Sequence, residues 1–289
     1  MKTSIAHLPS EKQQELSGVL EAILQVAKPV MVILFGSFSR GDWVEDRYVE
    51  NGTTYTYKSD FDILVVFKQE KHIPSKMAKG IRQTIGKRAE GFTPLSMIFH
   101  GIDFLNKELE EGNYFFADIV KEGTMLYDSG SYQLAAVKEL LPEARAKKGK
   151  MYFDSWFDNG NKFLKGSSFY LSEGDYKQAI FLLHQATESF YMAIILVFTD
   201  YKPKTHELDI LSKEARMLDK RFQQAFPQAS AEEVRLFDLL KRSYIDSRYK
   251  MGYVVAKEGL DYLAERVKRL KELTEQVCLE KIEQLRQAE

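Results

Sequence analysis

Leu34-Phe35-Gly36-Ser37-Phe38-Ser39-Arg40-Gly41 and, further on, Ser59-Asp60-Phe61-Asp62-Ile63-Leu64-Val65 are the two segments that decide how this chain is read. Val30 to Phe35 is a continuous apolar, β-branched run, the pattern of a buried strand, and it ends abruptly in small residues. Glycine lets backbone adopt φ > 0 and approach a ligand closely. A helix opening at that point turns free N–H groups toward phosphate. Ser37 adds a hydroxyl donor, and Arg40 a permanent positive charge on the same segment. Residues 60–67 form a second buried strand with two acids at its start. The two-residue period puts Asp60 and Asp62 on one side and sends Phe61, Ile63 and Val65 into a core. Two neighbouring carboxylates repel, which raises the pKa of one and costs stability. Mg²⁺ removes that conflict, since it takes oxygen ligands and commonly joins one or two carboxylates to substrate phosphates. Two such ions can clamp the attacking and leaving oxygens of a phosphoryl displacement. Taken singly, Gly36-Ser37 reads as an ordinary turn and Asp60-Phe61-Asp62 as a surface acid pair; taken together, with Arg40-Gly41 between them, they favour a site.

Around this pair the chain reads as α+β. Residues 9–27 have helical spacing with Ser10 as the expected N-cap, and Lys28-Pro29 stops that helix. Asn51-Gly52 between Tyr48-Val49 and Thr53 to Tyr57 is a strong two-residue hairpin signal. A helix fits 75–90, and Leu95 to His100 form a third strand. From 131 onward the pattern is helical, over 131–140, 147–172, 175–198, 205–226, 231–250 and 256–285. Asp175, Thr205 and Ser230 are the expected caps, and Pro203 and Pro227 fall in breaks. The expected organisation is a small mixed-sheet domain over 1–130, a helical connector over 131–146 and an all-α bundle over 147–289.

Composition narrows the function classes. The chain has 289 residues, 44% hydrophobic and 29% charged, enough to bury two cores. Lys plus Arg is 41 against 42 Asp plus Glu, which argues against a globally basic nucleic-acid coat. A single cysteine, Cys278, excludes an internal disulfide framework and a cysteine-cluster zinc site. There is no basic-then-apolar leader pattern, and the apolar run Tyr191 to Phe198 is too short to span a bilayer. The expected setting is the cytoplasm, with no membrane partner.

The two quoted segments resemble the signature of the minimal nucleotidyltransferases of the DNA polymerase β superfamily, over about the first 130 residues. The resemblance implies a nucleoside triphosphate held by Gly36, Ser37 and Arg40, Mg²⁺ held by the catalytic pair Asp60 and Asp62, and transfer of a nucleoside monophosphate to an acceptor hydroxyl or phosphate. Two departures stand out. The half-motifs are normally about ten residues apart, whereas here 42–58 insert a hairpin carrying Trp43, Glu45, Asp46 and Glu50. The family also carries a third carboxylate on a neighbouring strand, where Ser96 stands here; Asp42, Asp103 and Asp118 are the substitutes to place.

The second half, about 147–275, resembles a HEPN domain (higher eukaryotes and prokaryotes nucleotide-binding), most closely in Phe181-Leu182-Leu183-His184-Gln185-Ala186 and Lys204-Thr205-His206. Many members are ribonucleases with an Arg-x4–6-His motif. Here Arg242 takes the Arg place and Ser247 the His place, so the resemblance implies a non-nucleolytic domain; Tyr249 takes the place of a modifiable tyrosine. His184 and Glu188 lie one helical turn apart. Arg242, Arg248 and Tyr249, with Arg235, Lys241 and Lys250 nearby, mark either a solvated face or an acceptor or anion site, RNA included. The aromatic stripe from Tyr152 to Tyr170 reads as core packing, and the leucines of 256–285 as packing on the bundle or on a second chain in a homodimer. Three functions are compatible with this reading: a Mg²⁺-dependent nucleotidyltransferase whose helical part binds or presents the acceptor; a toxin–antitoxin-like fusion that nucleotidylates Tyr249; and a degenerate nucleotide binder.

Overall fold

The computed structural model describes residues 1–43, 45–50, 53–73, 76–86 and 93–287, the two strands 45–50 and 53–58 by backbone alone. The chain divides into two compact units, Met1–Glu139 and Leu140–Glu289.

In the N-terminal unit, helix α1 (Ser10–Val26) leads into β1 (Met31–Phe35), a five-residue helix α2 (Gly36–Arg40), a hairpin of β2 (Glu45–Glu50) and β3 (Thr53–Lys58), then β4 (Phe61–Phe67). Helix α3 (Met77–Gly86), β5 (Leu95–Gly101), α4 (Ile102–Glu110), α5 (Tyr114–Glu122) and β6 (Thr124–Asp128) complete it. The four-stranded sheet has the order β5-β4-β1-β6, with β4 and β5 parallel and the other two pairs antiparallel. β4 is buried along its length, as its apolar run requires. Phe61, Ile63, Val65 and Phe67 share one core with Leu16, Val19 and Ile23 of α1 and Met77 and Ile81 of α3. On the other side, the ring of Phe35 at the end of β1 meets Phe115 of α5 edge-on at 5.7 Å.

Several expectations change at this level. Ser10 is the first residue of α1 rather than its cap; Pro9 holds the cap position with no side-chain bond. The hairpin strands pair in register from Glu45↔Lys58 to Glu50↔Thr53, while the Asn51-Gly52 turn lies outside the described residues. Of the helix expected over 75–90, residues 77–86 are helical, and 75 and 87–90 also lie outside the described residues. Residues 131–141 are not helical, and the next helix begins at Pro142. Two causes act here. The residue before a proline is pushed out of the α region, and the backbone groups of this segment are taken elsewhere. Asn106 of α4 donates from Nδ2 to the Gln133 carbonyl and accepts from Ala135 N–H, and Lys138 N–H donates to the Leu109 carbonyl. The connector is thus an extended strap on α4.

The C-terminal unit is all helical: α6 (Pro142–Ser172), α7 (Tyr176–Thr199), α8 (Leu208–Leu218), a 3-10 turn (Lys220–Gln224), α9 (Ala231–Tyr249) and α10 (Lys257–Gln287). Asp175 caps α7 by accepting from Gln178 N–H, and Ser230 with Glu233 forms a full capping box on α9. Thr205 does not cap α8; Glu207 holds that position. The helix expected over 205–226 breaks at Asp219, whose carboxylate accepts from the Arg221 N–H and guanidinium. α7 is long and apolar enough to cross a membrane by length and composition, but 83% of that window is buried inside the unit, so it is the central helix of a bundle. Leu260, Leu263, Val267, Leu270 and Leu273 of α10 all join this core, as do the aromatic residues of α6 except Phe169, which is exposed. Cys278 is fully buried in α10, and burial pushes its thiol pKa up.

Burial pushes the Glu214 carboxyl of α8 up to about 7, against a weaker opposing effect of Lys213. The folded state therefore favours the protonated acid. Its contribution to stability is complete below the ordinary carboxylate pKa and is lost as pH rises through about 7. Glu214→Gln is expected to flatten the fall in stability of the helical unit between those limits, read as urea midpoints at a series of pH values. An equal fall in both proteins would refute the assignment.

Candidate functional site

The bend at Gly36 is where β1 stops. Its φ is +70°, and a Cβ placed there would collide with the Asp62 carboxylate. The lack of a side chain is what lets that carboxylate lie on the backbone of the bend. Antiparallel pairing sets Asp62 opposite Phe35, and parallel pairing sets it opposite Ser96. The end of β1 and the starts of β4 and β5 thus converge at one end of the sheet. Asp60 lies just ahead of β4 and is buried, with Ser59 beside it. Ser37 follows Gly36 in α2, and its carbonyl accepts from the N–H groups of Gly41 and Asp42.

The segment after the bend is held from several sides. Phe38 is fully buried, 4.5 Å from the Phe61 ring and stacked on Trp43 at 5.4 Å. Trp43, the first residue of note in the 42–58 insertion, is therefore a packing residue. Ser39 is buried and donates to the Glu122 carbonyl, with its hydroxyl 2.9 Å from that of Thr124. Lys2 Nζ donates to the Ser39 carbonyl, and a His7 ring nitrogen lies 2.8 Å from that of Phe38. A loop fixed this way needs little reorganisation to receive a ligand.

Arg40 stands at the far end of α2 from Gly36. Its guanidinium is half-exposed and pairs with Asp42 at 3.1 Å and with Glu122 at 3.8 Å. The structure gathers Gly36, Ser37, Asp62 and Ser96, with Asp60 adjacent, and engages Arg40 with other acids. Of the three acids considered as substitutes beside Ser96, Asp42 is taken up by Arg40. Asp103 lies past the C-terminal end of β5, the opposite end of the strand from Ser96, about 20 Å along it at the usual rise. Asp118 is the better placed. It lies between Phe115 and Glu122 on one stripe of α5, and those two residues touch Phe35 and Arg40.

The helical unit has its own polar cluster. His184 of α7 is buried, with Nδ1 3.0 Å from the Leu240 carbonyl and Nε2 without a hydrogen-bond partner, so only half of the ring is satisfied as a core histidine's would be. Burial lowers its pKa, outweighing the Leu240 carbonyl and Glu188, which act to raise it. Glu188, one turn on, reaches past it to His206, whose Nδ1 lies 2.8 Å from Oε1. The rings of His184 and His206 both stack on Tyr244, at 5.2 and 5.5 Å, and the Arg248 guanidinium lies 4.0 Å over the same ring. Of the remaining cations expected to form an anion-binding face, Arg235 pairs with Glu232, Lys241 with Asp209 and Asp238, and Arg242 with Asp238, while Lys250 is the C-cap residue of α9. Ser247, expected at the place of the family's catalytic histidine, is buried and donates to the Ser243 carbonyl within α9. Tyr249 is exposed at the end of α9.

Residues 153–283, all within this unit, match the HEPN domain family. The helical unit carries a HEPN domain. The crystal structure of an archaeal HEPN homologue is similar to the chain at 17% identity, covering 44% of this chain and 97% of that one, with a TM-score of 0.31. A search of the curated proteins finds no match. Inside the HEPN domain, the contact that sequence reasoning missed is Glu188 to His206. Helical spacing joins Glu188 to His184, and nothing in the pattern shows that a residue of the α7–α8 connection closes on the same carboxylate.

Proposed function

We propose that the chain is a Mg²⁺-dependent nucleotidyltransferase fused to a HEPN domain. One observation carries this reading: the Asp62 carboxylate lies on the backbone of the positive-φ glycine bend that ends β1, with Asp60 two residues before it. That bend lies against the Asp62 carboxylate, and Ser37 follows it in sequence, an arrangement suited to a polyphosphate that arrives with its own cation.

The donor set fits the ion. Among the described residues, no three His, Cys, Asp or Glu side chains are grouped to hold a metal by themselves. Asp60 and Asp62 offer two carboxylates, and Mg²⁺ commonly joins one or two carboxylates to substrate phosphates while keeping open positions. Bound there, Mg²⁺ would neutralise charge on the phosphates and on the departing pyrophosphate. The chain's own residues do the remainder. Gly36 gives the triphosphate close access, Ser37 offers a hydroxyl donor, and Asp60 and Asp62 supply the anionic oxygens. Phe38 and Ser39 anchor the turn in place.

Titration with ATP in the presence and absence of Mg²⁺ tests this directly. Wild type is expected to bind only with the ion, and Asp60→Asn/Asp62→Asn is expected to lose that dependence. Equal affinity in both proteins would sink the metal-site assignment. The register of Ser96 against Asp62 favours a second reading, in which nucleotide binds at the same bend and is not turned over. A toxin–antitoxin-like role, with transfer onto the HEPN domain, fits the fusion and takes its acceptor from that domain.

A further inference from the structure

The ring of His206 is arranged as an acceptor nitrogen. A carboxylate only accepts, so the 2.8 Å contact with Glu188 Oε1 places a hydrogen of His206 on Nδ1, and in the neutral ring the lone pair is then on Nε2. The His206 side chain is 63% exposed and that of Glu188 11%, so the oriented ring reaches solvent while the group that orients it does not. Tyr244 lies nearly parallel to the ring, at 11°, and supports it. The other oxygen of Glu188 is buried with no hydrogen-bond partner and faces His184 Nε2 at 3.9 Å. His184 Nε2 is likewise buried with no hydrogen-bond partner. Glu188 is therefore a buried carboxylate with unused capacity to balance positive charge, and a charge arising on His206 would meet it directly.

Such an acceptor meets the one shortfall of the N-terminal unit. A hydroxyl acceptor must lose a proton as it attacks, and the strand beside Asp62 offers Ser96 where a carboxylate would take it. An imidazole nitrogen bearing a lone pair has no proton to lose, and imidazoles as a class are largely in that form at neutral pH, when phenols are not.

We propose that His206 Nε2 is a nucleotidylation site, an inference that rests on the nucleotidyltransferase reading. Nε2 attacks the α-phosphorus of a nucleoside triphosphate delivered by the N-terminal unit of the same or another chain. The N–P bond forms as the bond from phosphorus to the β-phosphate oxygen breaks, and pyrophosphate leaves. The charge created on the ring is balanced by Glu188 across Nδ1–H, and loss of that hydrogen to solvent leaves a neutral nucleotidyl-imidazole.

The test is to incubate the full chain with α-labelled ATP and Mg²⁺, then map the adduct by mass spectrometry and by its lability. A Mg²⁺-dependent adduct on His206, lost in acid and retained in alkali, is expected. His206→Asn loses it to background, Glu188→Gln slows its formation, and Tyr249→Phe keeps it. The mapping in wild type decides even where a variant fails to fold. An acid-stable adduct on Tyr249 or another hydroxyl overturns the His206 assignment and preserves the transferase reading. No adduct anywhere, with Mg²⁺-dependent ATP binding intact, overturns the assignment as well. Absence of both adduct and Mg²⁺-dependent binding removes the transferase reading itself.

Discussion

Gly36→Ala is expected to abolish Mg²⁺-dependent nucleotide binding and to destabilise the N-terminal unit more than Gly130→Ala does. Both glycines have φ of +70°, so alanine pays the same left-handed penalty at each, about 1–2 kcal/mol. Gly130 has no atom within 4 Å of the added Cβ, whereas at Gly36 that Cβ falls on the Asp62 carboxylate. The excess at Gly36, about 1–3 kcal/mol as for other overpacked sites, measures the overlap alone. The carboxylate has to leave the bend to relieve it, and the proposed cation site goes with it. Urea midpoints for the two variants, with ATP titration of each, check both parts. Equal destabilisation by the two, with binding kept in Gly36→Ala, would show that the carboxylate does not depend on the bare bend.

The largest loss of stability is expected in the HEPN domain at the seam of α6 and α7. Gly160 of α6 lies under the ring of Phe190 of α7, and a Cβ there would come within 2.5 Å of the ring. Phe190 is fully buried and its ring centroid lies 5.5 Å from that of Phe157. Phe190→Ala should cost about 3–5 kcal/mol through lost burial and the cavity left behind. Gly160→Ala should cost about 1–3 kcal/mol through overpacking, less the roughly 0.5–1 kcal/mol that alanine gains over glycine inside a helix. The double variant is the sharper measurement. Its methyl occupies space the ring has vacated, so the two costs should sum to more than the observed loss. Strict additivity, measured on the unfolding transition of the helical unit, would mean that the helices do not meet at this pair.

Much of this architecture was legible because local patterns and tertiary environment agreed. The run Ile63 to Phe67 is buried on both faces and reads so, and Asp62 is the one partly exposed position of β4. Thr124–Asp128 escaped as a strand because it is short and only partly buried; its strand character comes from pairing with β1 and is not written in its own residues. The connector misled in the opposite sense. Leu134, Ala135, Val137 and Leu140 have helical spacing, yet the bonds offered by Asn106 and Leu109 and the proline at 142 outcompete a helix. At the sites, the place of Ser96 beside the acids was expected from the family resemblance, and the parallel pairing sets it opposite Asp62, while Asp60 lies just ahead of the strand in which the two-residue period put it. The engagement of Arg40 by Asp42 and Glu122, and of Glu188 by His206, was not expected. Both are contacts between elements or across a turn, chosen by geometry to which periodicity is blind.

The ladder between β1 and β4 also bears on the inserted segment 42–58. Because Phe35 sits opposite Asp62, the chain departs from the sheet and rejoins it at the same end, and the two anchor points are clamped by strand pairing whatever lies between them. The length of the excursion then enters only through loop-closure entropy, about 0.6 kcal/mol for each doubling. Apart from Trp43, which packs on Phe38, the insertion is therefore free to change in length while the carboxylate and the bend keep their spacing.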